Sequence, residues 1–314
     1  MKLLILAFYF VIACEDLRAQ TNVWQPSPGH TQIPIWPTII PDAQPGAEPE
    51  YFTNVTTASG TKWVCECNVT QPTMTVYSPK GTNTGVAVVV FPGGGYKVLA
   101  MDLEGTEVCD RLTSKGITAV LLKYRVPDSG PHWDSQLKHH VEPKAPMALE
   151  DAQRTIGLVR LHATEWHIDS HKIGVVGFST GGHLVANVST HFVKRSYPAV
   201  DTADKESCRP DFGIAIYLGH MTENTTNEFE LNPTIPVIGN TPPQFIVQAE
   251  DDHVDGVEQS LVYYIGLKKA GVPVEMHLYA QGGHAFGLRR TKFPITEWPQ
   301  LAEKWLGTIG IISD

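Results

Sequence analysis

The centre of this sequence is the segment Lys172-Ile-Gly-Val-Val-Gly-Phe-Ser-Thr-Gly-Gly-His-Leu-Val-Ala-Asn187. Residues 173–178 form a short apolar run rich in β-branched side chains, which is typical of a buried parallel strand. From Thr180 to His191 the apolar side chains recur at helical spacing. The segment therefore predicts a strand, a tight turn and a helix in direct succession.

The turn between them carries a Gly-x-Ser-x-Gly pattern, Gly177-Phe-Ser-Thr-Gly181. A serine on so tight a turn must adopt a strained backbone, and the residues two before and two after it then crowd each other. Glycine at both positions removes the Cβ atoms that would clash. The turn also aims the first N–H groups of the helix at whatever the serine attacks. Ser179 is therefore the candidate nucleophile, with a purely structural turn as the alternative.

The bulk composition favours one large globular domain. The chain has 314 residues, of which 42% are hydrophobic and 18% charged, and its formal net charge is −9. Such a chain can bury a substantial core. The acidic balance and the lack of a lysine or arginine run argue against nucleic acid as a partner.

The first residues resemble a secretion signal. One lysine precedes an apolar stretch, residues 3–13, that is too short to span a bilayer. Cleavage after Ala19 would remove residues 1–19 and release a secreted or periplasmic protein. Alternatively, Val11-Ile-Ala-Cys14 resembles a bacterial lipobox, which would anchor the chain through a lipid on Cys14. We expect cleavage after Ala19, and we expect no membrane-spanning segment in the rest of the chain.

Four cysteines follow the leader: Cys65, Cys67, Cys109 and Cys208. An even number in an oxidising compartment allows three disulfide pairings, between which the sequence does not choose, and buried free thiols are the alternative. Cys65 and Cys67 share one side of a strand and could form half of a metal site. Because no second pair follows at suitable spacing, we expect no metal.

The chain divides into a leader, an arm and a body. Residues 20–50 hold seven prolines and little periodicity, so that this part cannot form helix. Its tryptophans suggest that residues 20–70 form an extended arm packed on the body. Residues 71–314 form the catalytic domain. Within it, residues 127–146 are an insertion rich in proline and histidine that would form either a lid or a solvated loop.

The body alternates strand and helix patterns. Strand patterns lie at residues 73–78, 86–91, 117–124, 173–178, 211–218, 243–249 and 274–279, and helix patterns lie at 102–115, 146–166, 180–191, 256–270 and 298–309. A hairpin turn is predicted at residues 81–85. Strands separated by helices predict an α/β fold with a mostly parallel central sheet covered by helices on both faces.

The loops after the strands carry the remaining chemistry, because such loops gather at one edge of a parallel sheet. Ser179 follows one strand, Asp251 and Asp252 follow the next but one, and His284 follows the last. His284 is the candidate general base, and a carboxylate would orient its ring. Asp251 is the predicted partner, because Val254 three residues on can pack inward while Asp251 turns towards the histidine loop. Asp252 is the second choice. Asp255 ranks third because it approaches a helix start, where an N-cap role is natural.

A glycine triplet, Gly93-Gly94-Gly95, follows an earlier strand. Glycines let backbone N–H groups approach a developing oxyanion without obstruction. We predict donors from Gly94, Gly95 and the Thr180 N–H. A phosphate cradle is the alternative, but neither of the usual phosphate-binding glycine patterns is present. His183, one turn into the helix, is expected to be structural.

Together these segments resemble the secreted bacterial α/β-hydrolases typified by bifunctional acetylxylan/feruloyl esterases. The resemblance covers most of residues 70–307. It rests on Phe91-Pro-Gly-Gly-Gly-Tyr96, Asp102-Leu-Glu-Gly105, Lys123-Tyr-Arg-Val-Pro127, Gly177-Phe-Ser-Thr-Gly-Gly-His183, Arg209-Pro-Asp-Phe212, Glu250-Asp-Asp252, Gly271-Val-Pro-Val-Glu-Met-His-Leu-Tyr279 and Gly282-Gly-His284. One departure is Pro92, where many esterases place histidine before the glycines.

The resemblance implies the α/β-hydrolase fold and hydrolysis of short-chain acyl esters, acetyl or feruloyl, on xylan or related plant carbohydrates. The implied triad is Ser179, Asp251 and His284, and the implied partner is an acylated carbohydrate or small ester, without a cofactor. Two other interpretations compete: a serine peptidase of the prolyl-oligopeptidase type, and a non-catalytic hydrolase fold that binds carbohydrate.

Overall fold

The structure is a computed structural model that describes residues 23–43, 49–56, 60, 62–126, 132–134, 139–141, 146–222 and 229–312. The predicted leader, including Ala19 and Cys14, lies outside the described residues. So does most of the 127–146 insertion.

Strands and helices alternate through the described residues. The strands are β1 (Gln32–Pro34), β2 (Tyr51–Thr56), β3 (Lys62–Cys67), β4 (Thr73–Tyr77), β5 (Ala87–Phe91), β6 (Val98–Ala100), β7 (Thr118–Lys123), β8 (His132–Asp134), β9 (His139–Val141), β10 (Ile173–Phe178), β11 (Gly213–Ile216), β12 (Gln244–Ala249) and β13 (Val274–Tyr279). The α-helices are α1 (Glu107–Ser114), α2 (Pro146–Leu161), α3 (Thr180–Thr190), α4 (Val257–Lys269) and α5 (Trp298–Thr308). A π-helical turn at Asp102–Thr106 leads directly into α1.

The main sheet has eight strands in the order β1-β4-β7-β5-β10-β11-β12-β13. The six strands from β7 to β13 in this order run parallel, while β1 and β4 pair antiparallel at one edge. Every residue of β5, β7, β10 and β12 is buried, as expected for parallel strands covered on both faces. The predicted α/β architecture with a mostly parallel sheet is confirmed.

The predicted hairpin at residues 81–85 is wrong. β4 pairs with β7 and not with β5, and β7 lies between the two. The turn residues at 81–85 indicate that the chain reverses direction. They do not indicate which strand will pair with β4.

The segment predicted as an extended arm is more structured than expected. β1 joins the main sheet beside β4, and β2 and β3 form a separate antiparallel sheet with β6. Trp36 is buried, and its Nε1 donates to Asp151 Oδ1 at 2.8 Å. Buried aromatic packing and strand pairing join this segment to the body.

The four cysteines that follow the leader are free and buried. Cys65 Sγ and Cys67 Sγ lie 3.4 Å apart, well beyond a disulfide bond length. In the part of the chain that the structure describes, no cluster of three or more histidine, cysteine or acidic side chains could hold a metal ion. None of the helices described here has the length and apolar character that crossing a membrane requires.

Candidate active site

The predicted turn at Ser179 is built as the sequence indicated. Ser179 joins the end of β10 to the start of α3 with φ 52° and ψ −122°, a conformation that L-residues seldom adopt. A Cβ on Gly177 would lie 2.0 Å from the carbonyl oxygen of Gly181, and a Cβ on Gly181 would lie 2.0 Å from that of Phe91. Glycine is required at both positions, because a Cβ at either one would overlap the backbone.

His284 lies beside Ser179 at the same edge of the sheet. Both face one carboxylate oxygen, Asp255 Oδ2, which is 3.3 Å from Ser179 Oγ and 3.9 Å from His284 Nε2. The other ring nitrogen, His284 Nδ1, lies 2.7 Å from Asp252 Oδ2. The structure thus brings a serine hydroxyl, an imidazole and two carboxyl groups together.

Asp251 was predicted to orient His284, and the geometry corrects this prediction. Its Oδ1 accepts hydrogen bonds from the N–H groups of Gly282 and Gly283, at 2.8 and 2.7 Å, and so holds the loop that carries the histidine. Asp252, the second choice, makes the contact with the ring. Val254, which had to pack inward for Asp251 to turn towards the histidine loop, is 70% exposed.

Asp252 is held in place by its own turn. Its Oδ1 accepts from the N–H groups of Val254 and Asp255, at 2.9 and 3.1 Å, while Oδ2 accepts from Gln248 Nε2 as well as facing His284. These bonds turn the carboxylate away from water and fix the oxygen that meets the imidazole. A carboxylate so placed selects the tautomer in which His284 Nδ1 carries the proton and Nε2 is free to accept one.

The charge environment raises the pKa of His284. Burial alone would lower it, but the hydrogen bond with Asp252 and the negative charges of Asp252, Asp255 and Glu104 outweigh that effect. Burial also raises the pKa of the Asp255 carboxyl above its ordinary value. The histidine therefore holds a proton more readily than an exposed imidazole does.

The glycine triplet packs against the turn of Ser179. A Cβ on Gly93 would lie 2.9 Å from Ser179 Cβ, and Gly94, at φ 137°, would place a Cβ 2.1 Å from the Val98 carbonyl oxygen. Only a residue without a side chain fits at either position, because a Cβ would meet Ser179 at Gly93 and Val98 at Gly94.

The three predicted oxyanion donors do not behave alike. The Gly95 N–H donates to Thr180 Oγ1 at 3.1 Å, so it is already engaged and the prediction for Gly95 is not supported. The Thr180 N–H lies in the first turn of α3, where backbone donors have no partner within the helix. The described residues offer no hydrogen-bond acceptor to the Gly94 N–H. Gly94 and Thr180 are the remaining candidate donors.

Two buried residues behind the site, Glu104 and Tyr217, were not predicted from the sequence. Glu104, on the π-helical turn, accepts from the Gly93 N–H at 2.7 Å and from the Tyr217 hydroxyl at 2.8 Å. The ring of Tyr217 lies 4.7 Å from that of His284. Glu104 therefore links the glycine triplet to the residues around the histidine. The motif Asp102-Leu-Glu-Gly105 was the signal for it, but no chemistry in that motif pointed to a site.

His183, expected to be structural, is buried one turn into α3, and its backbone N–H donates to the Ser179 carbonyl oxygen at 3.0 Å. Its Nδ1 is 2.9 Å from the Tyr96 hydroxyl, and burial lowers the pKa of His183 well below its ordinary value. A neutral ring packed against Tyr96 supports the wall of the site. Of the 127–146 insertion, the structure describes β8 and β9, which pair antiparallel, and the start of α2.

Comparisons with known proteins agree with this architecture. A family model described as alpha/beta hydrolase fold matches residues 88–288. Among curated proteins, the chain is 28% identical over 215 residues to an acetylxylan esterase of Xylanibacter ruminicola, covering 65% of this chain and 42% of that protein. It is 29% identical over 226 residues to endo-1,4-beta-xylanase B of Butyrivibrio fibrisolvens, covering 66% of this chain and 33% of that protein.

One solved structure is similar over nearly its whole length. The acetyl ester-xyloside bifunctional hydrolase of Caldicellulosiruptor lactoaceticus shares 32% sequence identity with the chain at a TM-score of 0.71. The match covers 90% of this chain and 97% of that one. The chain thus spans less than half the length of the two curated relatives but almost all of this structure.

Proposed function

The chain belongs to the alpha/beta hydrolase fold family, and from that premise we propose that it is a serine carboxylesterase acting on acylated plant carbohydrate. The observation that carries the proposal is the arrangement around Ser179: a serine at φ 52° on a strand-to-helix turn, beside an imidazole whose far nitrogen meets a buried carboxylate at 2.7 Å. A protein that only bound carbohydrate would need none of these features.

The proposed reaction begins with Ser179. His284 Nε2 takes the hydroxyl proton while Ser179 Oγ attacks the ester carbonyl, and Asp252 stabilises the imidazolium that forms. The N–H groups of Gly94 and Thr180 donate to the oxyanion of the tetrahedral intermediate. His284 then returns the proton to the leaving alcohol, and an acyl-enzyme remains.

Water completes the cycle by the same route. His284 Nε2 removes a proton from a water molecule, which attacks the acyl-enzyme through a second tetrahedral intermediate, and Ser179 leaves with the proton. Acylation and deacylation each begin with the imidazole neutral, and each ends when the imidazolium gives its proton back. No step calls on a metal or a cofactor.

The proposed substrate is a short-chain ester, acetyl first, on xylan or a related sugar chain, with feruloyl esters as the second acyl group. Support comes from the esterase and xyloside activities named for the similar proteins. We also propose that the mature protein acts outside the cytoplasm, because its first residues resemble a cleavable leader.

The test is release of acetate from acetylated xylan and of p-nitrophenol from p-nitrophenyl acetate by the purified protein. Ser179→Ala should abolish both, and Ser114→Ala, which changes an exposed serine at the end of α1, should change neither. Release from the small ester alone would contradict the polysaccharide assignment. Serine-independent release, or none from either substrate, would contradict the esterase.

A further inference from the structure

Among the described residues, Asp255 is an acidic group that faces both Ser179 and His284 and to which the proposed reaction gives no task. Its Oδ2 lies 3.3 Å from Ser179 Oγ and 3.9 Å from His284 Nε2, and its side chain is only 14% exposed. Asp252 already orients the histidine from the other ring nitrogen. Asp255 therefore faces the side of the imidazole that handles protons of the serine and of the leaving alcohol.

The position of Asp255 is fixed by its surroundings. Its N–H donates to Asp252 Oδ1 at 3.1 Å, and its carbonyl oxygen accepts from Gln248 Nε2 at 2.9 Å. On the other side, a Cβ on Gly219 would lie 2.1 Å from Asp255 Oδ1. One carboxylate oxygen thus packs against the backbone of Gly219, while the other faces the reacting groups.

Burying a carboxyl group is unfavourable unless it gains hydrogen bonds. An apolar side chain at this position would suit the ester of a simple alkyl alcohol, because such an alcohol offers no donor. In the free protein this carboxylate accepts a hydrogen bond from Ser179 Oγ. Once Ser179 attacks the ester, the carboxylate keeps a hydrogen-bond partner only if the bound substrate supplies one. The Asp255 carboxylate therefore favours an ester whose alcohol carries a hydrogen-bond donor.

The alcohol of a sugar ester carries such a donor next to the ester. Neighbouring oxygens on a sugar ring are about one hydrogen-bond length apart. When the ester oxygen of the substrate lies at His284 Nε2 to receive its proton, a hydroxyl on the adjacent carbon is within reach of Asp255 Oδ2. Binding of substrate would replace the hydrogen bond that Ser179 makes to this oxygen in the free protein.

We propose that Asp255 is a specificity-determining residue that accepts a hydrogen bond from the free hydroxyl adjacent to the ester, so that the preferred substrates are monoesters of vicinal diols such as sugar rings. The inference rests on the proposed esterase function and adds the feature of the alcohol that is recognised. Asp255 selects the leaving alcohol, whereas Asp252 orients the base.

Two model esters isolate this contact: trans-2-hydroxycyclohexyl acetate and cyclohexyl acetate. They share the ring and the acyl group and differ by one hydroxyl. We expect the wild type to favour the hydroxy ester in kcat/KM by on the order of 10- to 100-fold, because a hydrogen bond to a charged acceptor discriminates by about that amount. Asp255→Ala should bring the ratio of the two kcat/KM values close to one.

Asp255→Asn tests the same contact without loss of shape, since its amide oxygen can still accept a hydrogen bond; it should retain part of the preference. Asp110→Ala, which removes an exposed carboxylate on α1, is the matched control and should leave the ratio unchanged. Circular dichroism shows whether each variant folds, and if Asp255→Ala does not, Asp255→Asn alone decides.

A wild-type ratio near one overturns the inference, as does a ratio that Asp255→Ala and Asp255→Asn leave unchanged. Equal losses on both esters also overturn it, since they would show that Asp255 only positions Ser179. If the wild type does not hydrolyse even p-nitrophenyl acetate, the proposed esterase function is overturned. If it hydrolyses p-nitrophenyl acetate but shows no preference for the hydroxy ester, only the role of Asp255 is overturned.

Discussion

At the scale of single residues, His284 is surrounded by more negative charge than its proposed role as a base requires. Asp252 contacts one ring nitrogen at 2.7 Å, Asp255 lies 3.9 Å from the other, and the buried Glu104 reaches the same region through Tyr217. The combined effect raises the pKa of His284 in spite of its burial. These charges should set the pH at which the protein becomes active.

The first prediction concerns that pH dependence. The neutral imidazole is the active form, so raising the pKa of His284 moves the acidic limb of the kcat/KM profile upward. Activity on p-nitrophenyl acetate should rise with pH through a midpoint above 6.5, the ordinary histidine value. Measurement of kcat/KM from pH 5 to 9 locates the midpoint, in roughly the range in which perturbed histidines titrate. A midpoint below 6.5 would contradict the charge environment described here.

The second prediction separates the two neighbouring aspartates. Asp252→Asn should lower kcat by roughly 10³- to 10⁴-fold, because the amide no longer selects the productive tautomer of His284. Asp251→Asn should cost less than about tenfold, since its amide oxygen can still accept from the N–H groups of Gly282 and Gly283. Steady-state kinetics on p-nitrophenyl acetate compares them. A larger loss in Asp251→Asn would reverse the assignment.

The sequence could predict the positions of Ser179 and His284 because each is tied to the end of a strand by its own pattern. It could not choose between Asp251 and Asp252, which are adjacent carboxylates on one turn. The direction of each side chain depends on the backbone N–H groups that its carboxylate accepts from. Asp251 accepts from the Gly282-Gly283 loop. Asp252 accepts from Val254 and Asp255. Such contacts exist only in the folded chain.

At the scale of elements, the turn between β10 and α3 depends on the absence of two side chains. Gly177→Ala should destabilise the protein by about 3 kcal/mol, because its Cβ would lie 2.0 Å from the Gly181 carbonyl oxygen and the backbone must move. Gly81→Ala is the control, since a Cβ there meets nothing within 4 Å. Urea denaturation measures both. Equal stability of the two variants would mean that the turn tolerates a side chain.

The elements themselves were largely predictable from the sequence, but their arrangement was not. The buried strands β5, β7, β10 and β12 appear in the sequence as apolar runs, and the main helices follow from periodicity. The position of β7 between β4 and β5 depends on pairing between distant segments, as does the second sheet of β2, β3 and β6. Local turn residues at 81–85 predicted a hairpin because they report only a change of direction.

At the scale of the whole molecule, the second sheet brings a buried carboxyl group against the main body. Glu66 on β3 is fully buried; burial and its hydrogen bond with Glu50 raise the pKa of Glu66 to about 8. Its Oε2 accepts from the Trp24 N–H at 3.0 Å, and Lys123 on β7 pairs with Glu50. The protonation of Glu66 is therefore coupled to the docking of the N-terminal segment.

This coupling predicts a pH dependence of stability. A carboxyl whose pKa is higher in the folded state than in the unfolded chain favours the fold while it is protonated. The contribution is fully present below about 4.5 and is lost as the pH rises towards about 8. Glu66→Gln, which keeps the shape and the acceptor oxygen, should weaken this dependence, so that its free energy of unfolding relative to the wild type improves as the pH rises. Urea denaturation at several pH values tests it; a pH-independent difference would contradict the raised pKa.

The central claim is that Ser179 is the nucleophile of an esterase, and covalent labelling tests it most directly. The purified protein is treated with a p-nitrophenyl phosphonate ester, which forms a serine adduct that does not hydrolyse readily, and is then digested for peptide mass analysis. We predict one phosphonyl group on the peptide that contains Ser179, a parallel loss of activity on p-nitrophenyl acetate, and no labelling of Ser179→Ala. A label on another residue, or activity that survives complete labelling of Ser179, would contradict the account.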